Sequence, residues 1–243
     1  MNRKIRFIFF LTCMTSLYGF GQNSFTLTIP VIYSNVEVAN NWSPSTAVNR
    51  QNQFDGTSLG YGVNLNYSFR PAFIIKDKRF LLNVGIGYFQ HRFDIRRPFD
   101  YNTQVQPIYY TDYYVYHCLN LSIGLTYNLS LGKKYFLSGS LSYSQQNSFR
   151  QQYTPTYGPS TYGFFTQTNH QQIDFGKILN LSVGINRNLG DRFSIGLNVL
   201  IPVYVRWRND RIFKDDPSIF YSPKFSLGSS ICLTYNLKRN SNL

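Results

Sequence analysis

Charge, acid and thiol are all scarce in this sequence of 243 residues. Charged residues make up 14% of it, where a soluble domain carries roughly a quarter. Acids are the rarer sign, with 11 Asp and Glu against 24 Lys and Arg, so the formal charge is +13. So basic a chain would suit nucleic acid, but an export leader and the grouping of the charges, both described below, exclude that partner. After the leader, no apolar run is long and uniform enough for a membrane helix, which needs roughly 20 such residues. There are three cysteines and three histidines. No cluster of them has metal-ligand spacing, so no metal and no cofactor are expected. No phosphate-binding glycine loop is present either. Gly85 and Gly87 sit within a strand pattern, where they relieve crowding.

The N-terminus reads as an address. Arg3, Lys4 and Arg6 are a basic head, Phe7 to Leu17 an apolar run, and Gly19-Phe20-Gly21 a small-residue cleavage site. Residues 1–21 are therefore expected to be a signal peptide, and residues 22–243 one domain. Cys13 leaves with the signal. Cys118 and Cys232 fall on strands far apart and are expected as free, inward thiols rather than a disulfide.

What is abundant is alternation. From Ser58 to Phe69, Leu59, Tyr61, Val63, Leu65, Tyr67 and Phe69 share one face, and Gly60, Gly62, Asn64, Asn66 and Ser68 the other. A period of two means a strand with unlike faces. The pattern recurs from Phe25, Phe80, Leu119, Tyr135, Leu179, Phe193 and Phe225, giving eight strands. Connections alternate too. Residues 70–79, 130–134 and 190–192 are short turns, whereas 35–57, 94–112, 148–172 and 210–222 are long loops. An even number of long strands with this asymmetry predicts an all-β, antiparallel, up-and-down transmembrane barrel with short periplasmic turns and long extracellular loops. Leu119-Asn120-Leu121-Ser122-Ile123-Gly124 is echoed by Leu179-Asn180-Leu181-Ser182-Val183-Gly184, one hairpin unit reused.

A soluble eight-stranded barrel of the lipocalin type would bury its apolar face and expose charge. Here the polar face is nearly uncharged, for example Asn120, Ser122, Gly124, Thr126 and Asn128. Such residues suit a narrow hydrogen-bonded lumen, and the bulky apolar face suits lipid. Tyr67, Phe69, Phe80, Tyr127, Tyr135, Phe193 and Tyr235 fall near the short turns, and Tyr88, Tyr143 and Trp207 near the other ends, as two interfacial girdles would. Arg70, Lys76, Lys78, Arg79, Lys133, Lys134, Arg187, Arg192, Lys238 and Arg239 collect at the short-turn side, facing only Asp77 and Asp191. Anionic headgroups of the inner leaflet and plain solvation both fit that grouping.

The last strand, Ser226-Leu227-Gly228-Ser229-Ser230-Ile231-Cys232-Leu233, resembles the signal read by the outer-membrane barrel-assembly machinery, although the chain ends in a polar tail rather than an aromatic residue. The whole mature chain resembles the small outer-membrane barrels of the OmpX, OmpA and OmpW kind. Its Tyr- and Asn-rich style resembles the PorT-like barrels of Bacteroidota. The resemblance implies a cell outer membrane location, with the lipid bilayer and lipopolysaccharide as surroundings.

For chemistry, His91 faces the lumen by parity, His117 faces lipid or the outer interface, and His170 lies in a loop. No nucleophile with a positioned base is in sight, and the His-x-Ser motif of barrel deacylases is missing, so no enzyme is expected. The turn at 190–192, with unbroken register, sets Asp174 opposite Arg208 with Arg206 on the same inner face. Asp174, Arg206, Arg208 and His91 are thus the candidate polar network of the lumen, as plug, gate or structural support. Tyr109, Tyr110, Tyr157 and Tyr162 mark aromatic loops that would bind a saccharide or an envelope protein, or pack on one another as a cap. The expected role is binding or assembly, including docking to a larger envelope complex. A narrow channel for a small or apolar solute, and a lipid-modifying enzyme, are the alternatives.

Overall fold

A computed structural model describes residues 23–40, 53–70, 77, 79–98, 109–154, 167–209 and 219–237. The expected leader lies outside these residues. The described chain is all strand: β1 (Ser24–Asn40), β2 (Gln53–Phe69), β3 (Phe80–Pro98), β4 (Tyr109–Ser130), β5 (Tyr135–Thr154), β6 (Gln167–Asn169), β7 (Ile173–Leu189), β8 (Phe193–Asn209) and β9 (Ile219–Asn236). Each long strand pairs antiparallel with the next, and β9 pairs with β1. β6, three residues long, only extends the edge of β5. The result is a closed eight-stranded barrel in which each long strand has two partners, the β8–β9 ladder being interrupted between Leu200–Gly228 and Trp207–Tyr221.

The short turns fall where the sequence puts them, and Gly132 (φ 113°) and Gly190 (φ 79°) supply the left-handed backbone that two of them need. The long loops are shorter than expected. β3 continues to Pro98 and β4 starts at Tyr109, so much of the 94–112 segment is strand. Strands of 17 to 22 residues overshoot the roughly 9–11 needed to cross a bilayer. The barrel therefore stands taller than a membrane, and the excess is at the long-loop end.

The apolar row of each strand faces outward. Ile123 is 57% exposed, Leu197 61% and Val183 53%, with the neighbouring odd residues of β1 and β2 similar. Aromatics mark both margins of this band. Phe25 and Tyr33, Phe80 and Tyr88, and Tyr135 and Tyr143 each stand eight positions apart on their strands. Eight positions make about 26 Å of strand, or about 20 Å of height at a tilt of about 40°. The lower row packs in pairs, with Phe25–Tyr67 ring centroids 5.1 Å apart, Phe80–Tyr127 4.8 Å and Phe193–Tyr235 5.1 Å. Arginines sit on it: Arg79 over Tyr127 at 5.1 Å, Arg187 over Tyr135 at 5.9 Å, and Arg192 donating to the Tyr235 hydroxyl at 3.2 Å.

The interior has two unlike halves. Near the short turns it is lined by Asn, Ser, Thr and Gly. Asn64 lies opposite Gly87, Asn66 opposite Gly85, Asn198 opposite Gly184 and Asn186 opposite Gly196. A Cβ on any of these glycines would collide with the amide of its facing Asn, which is why glycine recurs on that face. The amides bond across strands, as Asn120 to Asn64 (3.0 Å), Asn83 to Thr126 (2.7 Å) and Asn186 to Ser138 (2.8 Å). Cys232 belongs to this network, and it and Cys118 are free and buried, as expected. Toward the long loops the lumen instead holds a hydrophobic core built on Phe89, Phe93, Ile95, Tyr114, Tyr116 and Phe175.

Four register breaks separate this upper half from the lower one. They fall at Phe149 on β5, Phe175 on β7, Val203 on β8 and Lys224 on β9. Each is a bulge, and each reverses which side chains point inward beyond it.

Candidate functional site

The bulges re-sort the residues that sequence parity had gathered in the lumen. On β8 the pairs Leu181–Ile201 and Asn180–Pro202 keep the register set by the turn, but Leu179 then pairs with Tyr204. Val203 is the extra residue, and both it and Tyr204 face outward. Beyond them parity is reversed. Arg206 is exposed on the outer wall, and Trp207, expected in the outer girdle, is only 1% exposed inside. On β7 the extra residue Phe175 turns inward and sends Asp174 out. Asp174 therefore faces Asn147 of β5, not Arg208, and accepts a hydrogen bond from Gln145 and an ion pair from Lys177 at 3.5 Å. Arg208 faces Phe220 in the backbone ladder, and its side chain lies outside the described residues. Asp174 and Arg206 are thus not brought together in the lumen, because one inserted residue on each strand moves these two charges to the wall.

Of that set, His91 lies inside. It is 1% exposed, and its Nε2 is 2.9 Å from the Gln146 Oε1, itself buried. A neutral ring donating from Nε2 satisfies that pair. Four aromatic rings enclose it, with centroids 4.7 Å (Phe89), 6.0 Å (Phe93), 5.5 Å (Phe175) and 5.3 Å (Trp207) away. Tyr116 stacks on Phe175 at 4.3 Å. Gly60 and Gly176 make this packing fit, since a Cβ at Gly60 would strike Phe89 and His91, and one at Gly176 would strike Trp207 and Gln146. The rings come from β3, β4, β7 and β8, strands on opposite sides of the barrel, so the cluster spans the bore.

Such a cluster can close a pore and stiffen the wall. Edge-to-face pairs such as Phe93–Trp207 (5.3 Å, 83°) add about 0.5–1.5 kcal/mol each beyond burial. It offers little to catalysis, for His91 meets a neutral amide and rings and no hydroxyl, thiol or carboxylate among its described contacts. Among the described residues no group of His, Cys, Asp and Glu could hold a metal ion.

Sequence reasoning missed this core although part of it was visible. On β3 the odd positions that carry Asn83, Gly85 and Gly87 continue as Phe89, His91, Phe93 and Ile95, so the inner face changes from polar to aromatic. Tyr114, which follows the expected 94–112 loop, is 1% exposed inside β4. Of the loop candidates, Tyr109 and Tyr110 begin β4, opposite Pro98 and Arg97, and their side chains lie outside the described residues. Tyr157 and Tyr162 lie outside the described residues altogether.

The outer wall above the upper aromatic row carries a charged belt. Arg92 pairs with Asp94 at 2.9 Å and stacks over Tyr113 at 4.9 Å. Lys224 pairs with Asp55 at 2.8 Å and reaches Glu37 at 3.9 Å. His117 Nδ1 is 2.6 Å from the Tyr88 hydroxyl, on the outward side as expected.

No protein-family model and no curated protein matches the sequence. Among solved structures the chain is similar to the outer membrane protein OprG from Pseudomonas aeruginosa, at 9% identity, with 90% of this chain and 97% of that one covered and a TM-score of 0.47. It is similar to the outer membrane protease OmpT from Escherichia coli, at 9% identity over 88% of this chain and 94% of that one, with a TM-score of 0.45. Ail, the attachment invasion locus protein of Yersinia pestis, matches at 13% identity over 90% of this chain and 100% of that one, with a TM-score of 0.30. These are likenesses of fold, to small outer-membrane barrels.

Proposed function

We propose that this chain is an outer-membrane barrel that acts as a binding or assembly module at its long-loop end, with a closed bore. The observation that carries this reading is the aromatic core across the upper lumen, centred on His91 and Trp207. A bore filled by side chains is the normal state of an eight-stranded barrel, and here the filling is bulky and apolar, in a chain whose outer wall is apolar as well. An outer wall of Leu, Ile and Val between two aromatic rows fits hydrocarbon, and a closed sheet is one of the two backbone forms that a bilayer tolerates. The cell outer membrane is the setting for which such closed barrels are built. A cleaved leader at residues 1–21 would deliver the chain there.

The strands that overshoot the membrane make a collar, and the Tyr-rich segments containing Tyr109, Tyr110, Tyr157 and Tyr162 would supply its binding surface. An envelope protein or a saccharide is the partner class that such aromatic, amide-rich segments fit. His91, enclosed by rings, gives no support to enzymatic chemistry. Planar-bilayer recording and capture of partners in mild detergent test the proposal together. The expected result is an electrically silent barrel that co-purifies with envelope proteins. Steady single-channel currents from the unmodified protein would overturn it in favour of the narrow channel.

A further inference from the structure

We propose that the outer wall of β7 and β8, just above the upper aromatic row, is a seat for the phosphate of an anionic lipid headgroup, with Lys177 and Arg206 as its cations. The inference rests on the membrane reading above and adds a site to it. Lys177 and Arg206 are direct partners in the β7–β8 ladder and both face outward. Like charges placed opposite each other destabilise a sheet unless something neutralises them. Of these two cations Asp174 reaches Lys177, at 3.5 Å, and it also accepts a hydrogen bond from Gln145. Arg206 makes no ion pair among the described residues.

Two other cations of the belt are paired, and Arg150, exposed on neighbouring β5, adds to the positive side. Arg92 has Asp94, and Lys224 lies between Asp55 and Glu37. Among the described residues the β7–β8 sector therefore carries more positive charge than Asp174 offsets, whereas in the sector from β9 to β2 Lys224 meets both Asp55 and Glu37. Chain geometry puts Arg206 there by design of the strand: the bulge at Val203 turns it out of the lumen. Counted from Phe193 in the lower aromatic row, less the bulge residue, Arg206 stands about 40 Å along β8. At a tilt of about 40° that is about 30 Å of height, about 10 Å above the upper aromatic row, in the headgroup layer that takes a bilayer from about 30 Å of hydrocarbon to about 40–45 Å in all. A headgroup phosphate of the far leaflet meets the protein at that level. Tyr204, half exposed on the same wall, lies below it. An arginine fork and a lysine point charge side by side are a phosphate-binding pair.

The test uses the full mature chain refolded into zwitterionic vesicles containing either bisphosphorylated lipid A or its dephosphorylated form, with retained lipid measured by native mass spectrometry. The wild type should hold the phosphorylated form on the order of tenfold better, and raised salt should weaken that preference. K177Q/R206Q should lose it, K177R/R206K should keep it, and R92Q, altered in a paired sector, should keep it. If the double Gln variant does not refold, R206Q alone should still lower the preference. A preference that survives these changes, or is absent from the wild type, overturns the proposal. Competition by inorganic phosphate as strong as that by the lipid would also overturn it, marking a site for soluble anions. Failure of the wild type to enter any vesicle would instead sink the membrane reading itself, so the two failures are distinguishable.

Discussion

The first four strands and the last four of the barrel obey the same alternation near the short turns and part company near the long loops. In β1 to β4 parity runs unbroken, so residues such as Gly85, Phe89 and Phe93 on β3 all point to the axis. In β5, β7, β8 and β9 a single bulge on each strand reverses the faces. The difference has a chemical product. The bulges carry Phe175 and Trp207 inward and turn Asp174, Arg150, Arg206 and Lys224 outward. Unbroken strands would bury those charges in the bore, where even well-paired ions lose several kcal/mol of hydration each. The bulged half thus fills the lumen with rings and gives the charges to the wall.

The largest effect should come from removing a bulge. Deleting Val203 restores simple alternation on β8, which expels Trp207 and forces Arg206 inside. The deletion should destabilise the barrel more than Trp207→Ala does, as measured by denaturant unfolding in lipid. Trp207→Ala comes next. It empties a 1% exposed site, and a loss of about 3–5 kcal/mol is expected, with ion currents through the opened bore. A third change probes the outer wall. Leu197→Arg, at 61% exposure, should lose about 2–4 kcal/mol in a bilayer, whereas the same change on a water-facing wall would be nearly neutral. The smallest effect belongs to the short-turn end. Arg79 donates to Asp77 through its backbone amide and its guanidinium, at 2.7 to 3.1 Å. These bonds hold the Asp77 carboxyl at about 2, below its ordinary 3.8. The pair's contribution is therefore complete above about pH 4 and fades as pH falls toward 2. An NMR titration of Asp77 should find its midpoint low, and Arg79→Gln should return it to the ordinary carboxylate range.

Much of this was legible in the sequence, and the limits have physical causes. Strand number, closure, short turns and the outward row follow from period two and turn chemistry, which depend on near neighbours. The glycine–asparagine pairs were half legible: Gly85 and Gly87 marked crowding, but Asn64 and Asn66 as the cause needed the register. The upper lumen was misread because Ile201, Val203, Val205 and Trp207 continue an apolar row straight through the bulge, with nothing polar to mark the reversal. A signal was present in the prolines. A proline has no N–H for a ladder, so inside a strand it points to a bulge or a break in pairing, and β8 and β9 do not pair between Leu200–Gly228 and Trp207–Tyr221. Pro202 and Pro223 stand next to the bulges at Val203 and Lys224. Pro30 also lies within a strand, and the β1–β2 register skips it.

The central claim is that the leucine row faces hydrocarbon and the asparagine row faces the axis. It is tested most directly by single spin labels at Leu197 and Asn198 of the lipid-embedded barrel, the native thiols being buried. Relaxation by oxygen, which concentrates in lipid, should be strong at position 197 and weak at position 198, and the alternation should reverse beyond Val203, with position 206 exposed and 207 shielded. Equal accessibility at 197 and 198, or the opposite alternation, would contradict the account.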